Sequence, residues 1–175
     1  MLRVNREKSG VAPATKRGLL GFGLLKRKGR VDIRIDPKAR KAMLAKIRRL
    51  TSRTWGISMT ERIAILNSYI RGWCAHFALA DTPSVFEEAD ERLRRRLRQV
   101  AWKQWKSPKN RARNLRALGI ANQKAYEWSY SRKGSWRTAG SAPLQRAMPN
   151  AYWSGIGLVG FKQSYGRVRH VWRIA

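Results

Sequence analysis

The stretch Ser58-Met-Thr-Glu-Arg-Ile-Ala-Ile-Leu-Asn-Ser-Tyr-Ile-Arg-Gly-Trp-Cys-Ala-His-Phe77 decides how this chain folds. Ser58 and Glu61 have capping-box spacing, which predicts that a helix begins at this serine. The apolar residues then recur at alternating steps of four and three: Met59, Ile63, Leu66, Ile70, Trp73 and Phe77. This spacing places all six on one helix face, so the stretch predicts an amphipathic helix that buries that face.

A second long helix is predicted from near Thr82 or Ser84 to Lys106. Its apolar seam consists of Phe86, Leu93, Leu97 and Val100, and a neighbouring stripe consists of Glu91, Arg95, Arg98, Trp102 and Trp105. Guanidinium groups match phosphate oxygens and indoles stack on bases, so this stripe favours contact with nucleic acid. The alternative is that its arginines are solvated and its tryptophans are core, and the stripe alone supports both interpretations equally.

The segment before these helices predicts a β-hairpin and a further helix. One arm is Leu19–Leu25, the turn is Lys26–Gly29, and the other arm is Arg30–Ile35, which alternates apolar and polar residues. Asp36-Pro37 then has the N-cap and first-position residues of a helix that ends near Arg53. Three helices with one apolar stripe each, joined by short loops, predict a small bundle.

The region after the long helix is basic and more broken. Short helices are predicted over 110–118 and 121–130, and another begins at Ala142. Between them, 129–137 is predicted as a loop with a basic, glycine-containing turn beside Trp136, which suits contact with a phosphate backbone. The sequence leaves open whether the glycine-rich tail from Gly155 is ordered.

The charge of the chain is extreme. Among 175 residues, 39 are Lys or Arg and 10 are Asp or Glu, which gives a net charge of +29. Self-repulsion of this size opposes compaction unless an anion shares the charge, so a polyanionic partner is expected. The 43% hydrophobic residues suffice for the core of one domain.

Cys74 is the one cysteine, so no disulfide forms within the chain, which suits a reducing compartment. We expect a bacterial-type cytoplasmic location in a ribonucleoprotein particle, with an organellar location as the alternative. The sequence shows no apolar run of membrane-spanning length and no secretory signal pattern, so no membrane partner is expected.

Residues for catalysis or metal binding do not form a recognisable set. Five carboxylates crowd the start of the long helix, where they complement its dipole but do not converge on a cavity. They are Asp81, Glu87, Glu88, Asp90 and Glu91. His76 and His170 lack cysteine partners at zinc spacing. Cys74 and His76 are two residues apart and point in different directions on a helix. We therefore expect no catalytic residue, no metal and no cofactor.

An ordered series of motifs over about residues 3–160 resembles the thumb and maturase region, or domain X, of group II intron reverse transcriptase/maturases. The motifs are Leu20-Gly21-Phe22, Leu66-Asn-Ser-Tyr-Ile-Arg-Gly-Trp73, Leu93-Arg-Arg-Arg-Leu97, Trp102-Lys-Gln-Trp-Lys106, Leu118-Gly-Ile120, Ala125-Tyr126 and Lys133-Gly-Ser-Trp-Arg137. The family's fingers and palm, with the Tyr-Ala-Asp-Asp box, and its Cys-rich nuclease domain have no counterpart in this sequence, so the resemblance does not imply polymerase or nuclease activity.

The resemblance implies a mainly α fold, with an N-terminal β-hairpin followed by a three-helix thumb-like bundle and short C-terminal basic helices and loops. Residues 1–35 would hold the end of the palm with the hairpin, and 36–107 the thumb/maturase bundle. Residues 108–160 would form a basic maturase-specific extension, and 161–175 a tail of unknown order.

The implied function is an RNA-binding maturase module that binds structured group II intron RNA and assists its folding and splicing. The residues expected to bind RNA are Arg94, Arg95, Arg98, Trp102, Lys103, Trp105 and Lys106, with Arg111, Arg113, Lys133, Trp136 and Arg137 as a second surface. Changing Arg95 and Arg98 to Glu is expected to weaken RNA binding without unfolding the protein.

Three alternatives remain open at the level of sequence. The chain is the thumb piece of a split reverse transcriptase, with a separate fingers and palm chain as partner, because an unpaired hairpin edge near 19–25 invites one. It is a truncated, non-functional remnant of a mobile element. Or it is a general DNA-binding or ribosome-associated basic protein, which charge alone allows.

Overall fold

The structure, a computed structural model, describes residues 13–16, 18–27 and 29–174; residues 1–12 of the predicted first segment lie outside the described residues. In the described part, a 3-10 turn at Ala14–Lys16 precedes three strands. They are β1 (Gly18–Leu19), β2 (Phe22–Arg27) and β3 (Arg30–Ile35), which form one antiparallel sheet in the order β1-β2-β3.

The hairpin of β2 and β3 confirms the prediction, with Phe22 opposite Ile35. The predicted arm 19–25 is wrong as a single strand, because the chain turns at Leu20 and Gly21, which have φ of 53° and 84°. This turn folds β1 back onto β2 and sets Leu19 opposite Phe22. A Cβ on Gly21 would lie 3.0 Å from the Phe77 ring, so glycine suits both the positive φ and the close approach.

Nine α-helices follow the sheet in the described residues. They are α1 (Pro37–Leu50), α2 (Met59–His76), α3 (Pro83–Gln104), α4 (Pro108–Ala117), α5 (Asn122–Ser129), α6 (Ser135–Ala139), α7 (Ala142–Ala147), α8 (Asn150–Gly155) and α9 (Phe161–Ile174). The mainly α fold is thus confirmed. None of these helices, within the described ranges, is both long and apolar enough to cross a membrane.

Two helices of the predicted bundle, α1 and α2, begin where the capping residues indicate. The side chain of Asp36 accepts a hydrogen bond from the Lys38 amide at 2.7 Å, and that of Ser58 accepts one from the Glu61 amide at 3.1 Å. The predicted apolar stripes supply most of the core. Its buried members from these helices include Met43, Ile47, Leu50, Ile63, Leu66, Ile70, Phe77, Phe86, Leu93, Leu97 and Val100.

The tail whose order the sequence left open is helix α9, and it completes this core. It packs against both α2 and α3. The Tyr165 ring stacks on Phe86 with centroids 4.0 Å apart, and Phe161 meets Trp73 edge to face at 5.8 Å. Because Phe161 and Tyr165 are buried, α9 is an integral fourth layer of the bundle and not an appendage.

Other helix bounds refine the predictions. The long helix α3 ends at Gln104 and not at Lys106, and the short helices α4, α5 and α7 lie where they were expected. The predicted loop 129–137 is wrong at its end, because Ser135 already begins α6. Helix α8 was not predicted.

The carboxylates at the start of α3 attach it to its neighbours. Asp90, which is buried, accepts hydrogen bonds from the amides of Phe161 at 2.8 Å and Lys162 at 3.1 Å. Glu87 pairs with Lys162 at 2.6 Å, and Glu88 pairs with Arg40 of α1. The acidic cluster therefore holds α1 and α9 against α3.

Replacing Asp90 by alanine is expected to destabilise the protein, because two amides at the start of α9 lose their acceptor in a buried place. The expected loss in free energy of unfolding is about 1–3 kcal/mol, measured by urea denaturation. Glu91→Ala is the matched control, since it removes a carboxylate from an exposed position on the same helix and is expected to change stability by less than about 0.5 kcal/mol. Equal stability of both variants and the wild type would contradict the capping role.

Candidate nucleic-acid interface

A basic groove runs between α1 and α3 and is bordered by α6. It consists of two open cavities of about 620 and 530 Å³, which share Ala45, Arg48, Arg96 and Gln99. We refer to it as the α1–α3 groove. Its described lining contains no acidic residue and comprises Lys41, Leu44, Ala45, Arg48, Arg49, Ser52, Arg53, Thr54, Arg92, Arg96, Gln99 and Trp136.

Helical spacing explains why these residues line one surface. Lys41 and Arg48 are seven residues apart on α1, and Arg92 and Gln99 are seven apart on α3, so each pair lies on one face of its helix. The apolar stripes lie beside these faces and pack the two helices together. Packing of the stripes therefore sets one basic face opposite the other.

Arg96 forms the fixed floor of the groove. Its Nε donates to Thr51 Oγ1 at 2.5 Å, and its Nη2 donates to the carbonyls of Arg48 at 3.2 Å and Thr51 at 3.3 Å. Burial, followed by the nearby charges of Arg48 and Arg92, lowers the pKa of the Arg96 guanidinium. The guanidinium groups of Arg48, Arg92 and Arg96 therefore repel one another, and a bound anion would reduce this repulsion.

The rim of the groove is formed by exposed cations, namely Arg48, Arg49, Arg53 and Arg92. The ion pairs of the described residues join other partners, so none of these four is paired with a carboxylate there. An anion that enters the groove meets guanidinium groups with free donors above the floor.

Helix α6 closes one end of the groove with Trp136, which is 38% exposed. The guanidinium carbon of Arg95 lies 4.1 Å from the centre of the Trp136 ring, and Arg95 Nη2 donates to the Trp136 carbonyl at 3.2 Å. Ser135 Oγ accepts hydrogen bonds from Gln99 Nε2 at 3.2 Å and from Arg53 Nη1 at 3.4 Å. These contacts fix α6 against α3 and orient the indole.

Two residues predicted to bind RNA are buried. Arg98 is 8% exposed and its Nε donates to the Ala139 carbonyl at 2.8 Å, while Trp102 is 2% exposed and lies in the core. Burial, then the charges of Arg94 and Arg95, lowers the pKa of Arg98. These two side chains are not exposed, because the chain after α3 folds back over them, and at Trp102 the alternative of a core tryptophan holds. Because Arg98 is buried, the structure favours destabilisation of the protein by Arg98→Glu, in contrast to the expectation from the sequence.

The other predicted residues vary in access. Arg94, Arg95, Trp105 and Arg111 are partly buried, and the Arg111 guanidinium lies 4.5 Å from the Trp102 ring centre. The exposed members are Lys103, Lys106, Arg113, Lys133, Trp136 and Arg137. Of the whole predicted set, only Trp136 lines the α1–α3 groove in the described structure. RNA contact by the exposed residues stays a prediction.

Sequence reasoning missed the basic residues of the groove itself, which are Lys41, Arg48, Arg49, Arg53, Arg92 and Arg96. A signal was available, because each helix has basic residues at helical spacing next to its apolar stripe. That spacing identifies one basic face on α1 and one on α3, but it does not show that the two faces lie next to each other. Only the packing of α1 on α3 makes them one groove.

Cys74 and His76 do not form a nucleophile pair. The Cys74 thiol is fully buried and donates to the Phe161 carbonyl at 3.4 Å, whereas His76 is exposed with Nε2 3.1 Å from the Leu20 carbonyl. Burial, with a contribution from the charge of Asp90, raises the pKa of the thiol to about 12. Within the described residues, no group of three His, Cys, Asp or Glu is placed to hold a metal ion.

These features together define a small, strongly basic helical protein with a groove whose described lining contains no carboxylate. Residues 40–119 match the family model for the group II intron, maturase-specific domain. The resemblance is thus confirmed over these residues, which run from α1 through α4 and include most of the groove. The match covers somewhat less than half of the chain, and no curated protein matches it.

Replacing Arg98 by methionine is expected to reduce the free energy of unfolding by about 1–3 kcal/mol, because the buried Ala139 carbonyl loses its donor. RNA affinity of the folded variant is expected to stay near the wild-type value. Urea denaturation and filter binding measure the two quantities. Arg146→Met removes an exposed charge outside the predicted RNA-binding set and serves as the control for charge loss. A stable Arg98→Met protein with lost RNA binding would restore the original prediction.

The thiol of Cys74 is expected to react with a disulfide reagent only when the protein unfolds, because the folded thiol is buried and stays protonated at pH 8. Absorbance of the released chromophore measures the rate in buffer and in concentrated urea. A rapid reaction of the folded protein would show that α9 does not cover this thiol.

Proposed function

We propose that this protein binds structured group II intron RNA and helps it reach its splicing-competent fold. The observation that best supports this proposal is the α1–α3 groove, in which exposed guanidinium groups surround the fixed Arg96 and no carboxylate lies among the described lining residues. The match to a maturase-specific domain over residues 40–119 supports the identity of the RNA.

The mechanism is neutralisation and positioning of phosphates. Guanidinium forks on the rim bind phosphate oxygens in two-pronged geometry, and each contact releases counterions from the RNA. Because Arg96 is already held by three acceptors, its ordering costs little when RNA binds. Backbone contacts of this kind recognise the shape of folded RNA more than its sequence.

The exposed residues beyond the groove extend this surface. They are exposed cations in or near α3, α4 and α6, and they add to the positive charge of the protein surface. These cations are Lys103, Lys106, Arg113, Lys133 and Arg137. We propose that they contact flanking parts of the intron. The matched domain is not itself a polymerase catalytic domain, so the proposed role is to stabilise an RNA that performs its own chemistry.

The double variant Arg48→Gln/Arg92→Gln is expected to weaken binding of group II intron RNA by about tenfold or more. It should also lower the salt dependence of log affinity by about two, because two phosphate contacts are lost. Filter binding over a range of salt concentrations measures both. The matched control is Arg146→Gln/Arg167→Gln, which removes the same charge from exposed positions on α7 and α9. Equal effects of the two double variants would contradict the groove assignment.

Specificity is tested with the wild-type protein at near-physiological salt. Labelled group II intron RNA from the same genome is challenged with excess unrelated structured RNA and with duplex DNA. Retained preference for the intron is the expected result, since a fixed arrangement of cations favours some RNA shapes over others. Equal competition by every polyanion would leave a general basic protein.

A second candidate role is that of a thumb piece in a split reverse transcriptase. It is favoured by Leu19 and Leu20, which are each 76% exposed where β1 turns into β2. An apolar pair beside a sheet edge suits docking of a separate fingers and palm chain. Purification from the native host and identification of bound chains tests this role. A polymerase-like chain that is lost in Leu19→Ser/Leu20→Ser would support it, and a monomer without such a chain would count against it.

A further inference from the structure

We propose that the Trp136 end of the α1–α3 groove binds a single unpaired nucleobase of the RNA, stacked on the indole. This inference rests on the proposed function, and it adds that the groove recognises an unpaired base in the RNA. It concerns the part of the groove outside the matched segment 40–119, since Trp136 comes from α6.

The geometry of Trp136 is that of a prepared stacking surface. The Arg95 guanidinium lies against the ring at 4.1 Å, and Arg95 itself is confined, because a Cβ on Gly140 would lie 2.8 Å from it. Both the backbone of Trp136 and its ring are thereby held in place. The ring remains 38% exposed and lines the cavity of about 530 Å³.

The cavity beside the ring fits a nucleotide in size and charge. Its volume lies within the ~300–1,000 Å³ range of small-molecule sites. Lys41, Arg48 and Arg92 line it together with Trp136, so cations that bind phosphate lie next to an aromatic ring that stacks on a base. Gln99 also lines this cavity, but it is buried and its Nε2 donates to Ser135 Oγ, so it helps to hold α6 and its indole beside the cations.

An unpaired base is favoured over paired RNA because only an unpaired base exposes its face. Bases within an A-form duplex are stacked on one another, and proteins reach mainly their backbone and shallow minor groove. The row of cations also continues from Arg92 through Arg48 to Arg53 along both cavities. Because these cations line two adjoining cavities, they suit the successive phosphates of an RNA strand on either side of the base, and not a single free nucleotide.

The experiment uses the full chain and two RNA duplexes of equal length. One has a single-nucleotide bulge that contains 2-aminopurine, and the other has the same 2-aminopurine base-paired. Fluorescence of the probe reports stacking, which avoids the signal of the protein's eight tryptophans. We expect the wild type to bind the bulged duplex roughly tenfold more tightly, within about 5- to 100-fold, and to quench the bulged probe.

Three variants separate stacking from other effects. Trp136→Leu keeps apolar bulk without an aromatic face and is expected to abolish the preference for the bulge and the quenching, with unchanged affinity for the paired duplex. Trp136→Phe keeps an aromatic face and is expected to retain most of both. Tyr126→Leu removes another exposed aromatic side chain, 61% exposed on α5, and is expected to behave like the wild type.

The outcomes also separate this inference from the proposed function. Equal binding of bulged and paired RNA by the wild type would overturn the nucleobase site. If Arg48→Gln/Arg92→Gln also loses affinity for both duplexes, the groove would still be supported as the site that binds the RNA backbone. An unchanged preference for the bulge in folded Trp136→Leu would also overturn it. Equal displacement of both RNAs by polyglutamate would overturn the proposed function itself.

Discussion

The shortage of carboxylates is the constraint on which the rest of this structure depends. With 10 Asp or Glu for 39 Lys or Arg, most cations have no acidic partner. The clearest case is Arg62, which is fully buried and donates to the carbonyls of Leu50 at 2.8 Å and Trp55 at 2.9 Å. Arg96 and Arg98 likewise donate to carbonyls at the ends of α1 and α6. Helix C-termini have unpaired carbonyls and a negative dipole end, so these arginines stabilise the helices where they end.

The same constraint connects folding with the proposed RNA binding. The available carboxylates are concentrated at the start of α3, where Asp90 and Glu88 attach it to α9 and α1. Farther along α3, Arg92 and Arg96 face α1 without acidic neighbours in the described lining. Six of the cations that lack an acidic partner among the described residues thus line one groove, where a bound polyanion would reduce their mutual repulsion.

The candidate site was predictable in chemistry but only partly in position. Sequence identified arginine and tryptophan on α3 as the relevant residue types, and Trp136 does line the groove. It predicted RNA contact for Arg98, which is buried, because helical spacing does not distinguish a guanidinium that faces solvent from one that faces a distant carbonyl. The acceptor of Arg98 is 41 residues away, at Ala139. Nothing local in the sequence indicated that Arg48 of α1 lies next to Arg96 of α3.

Sequence by itself determined the three helices α1 to α3, because their apolar stripes, and the side-chain caps of α1 and α2, depend on residues at most four apart or on repeats of such steps. It also determined the polyanionic character of the expected partner, which follows from composition. Only the tertiary structure decided that α9 completes the core, which arginines are buried, and that two basic faces form one groove. Those outcomes depend on contacts such as Phe86 with Tyr165 and Arg96 with Thr51, whose partners are far apart in the chain and meet only when the helices pack.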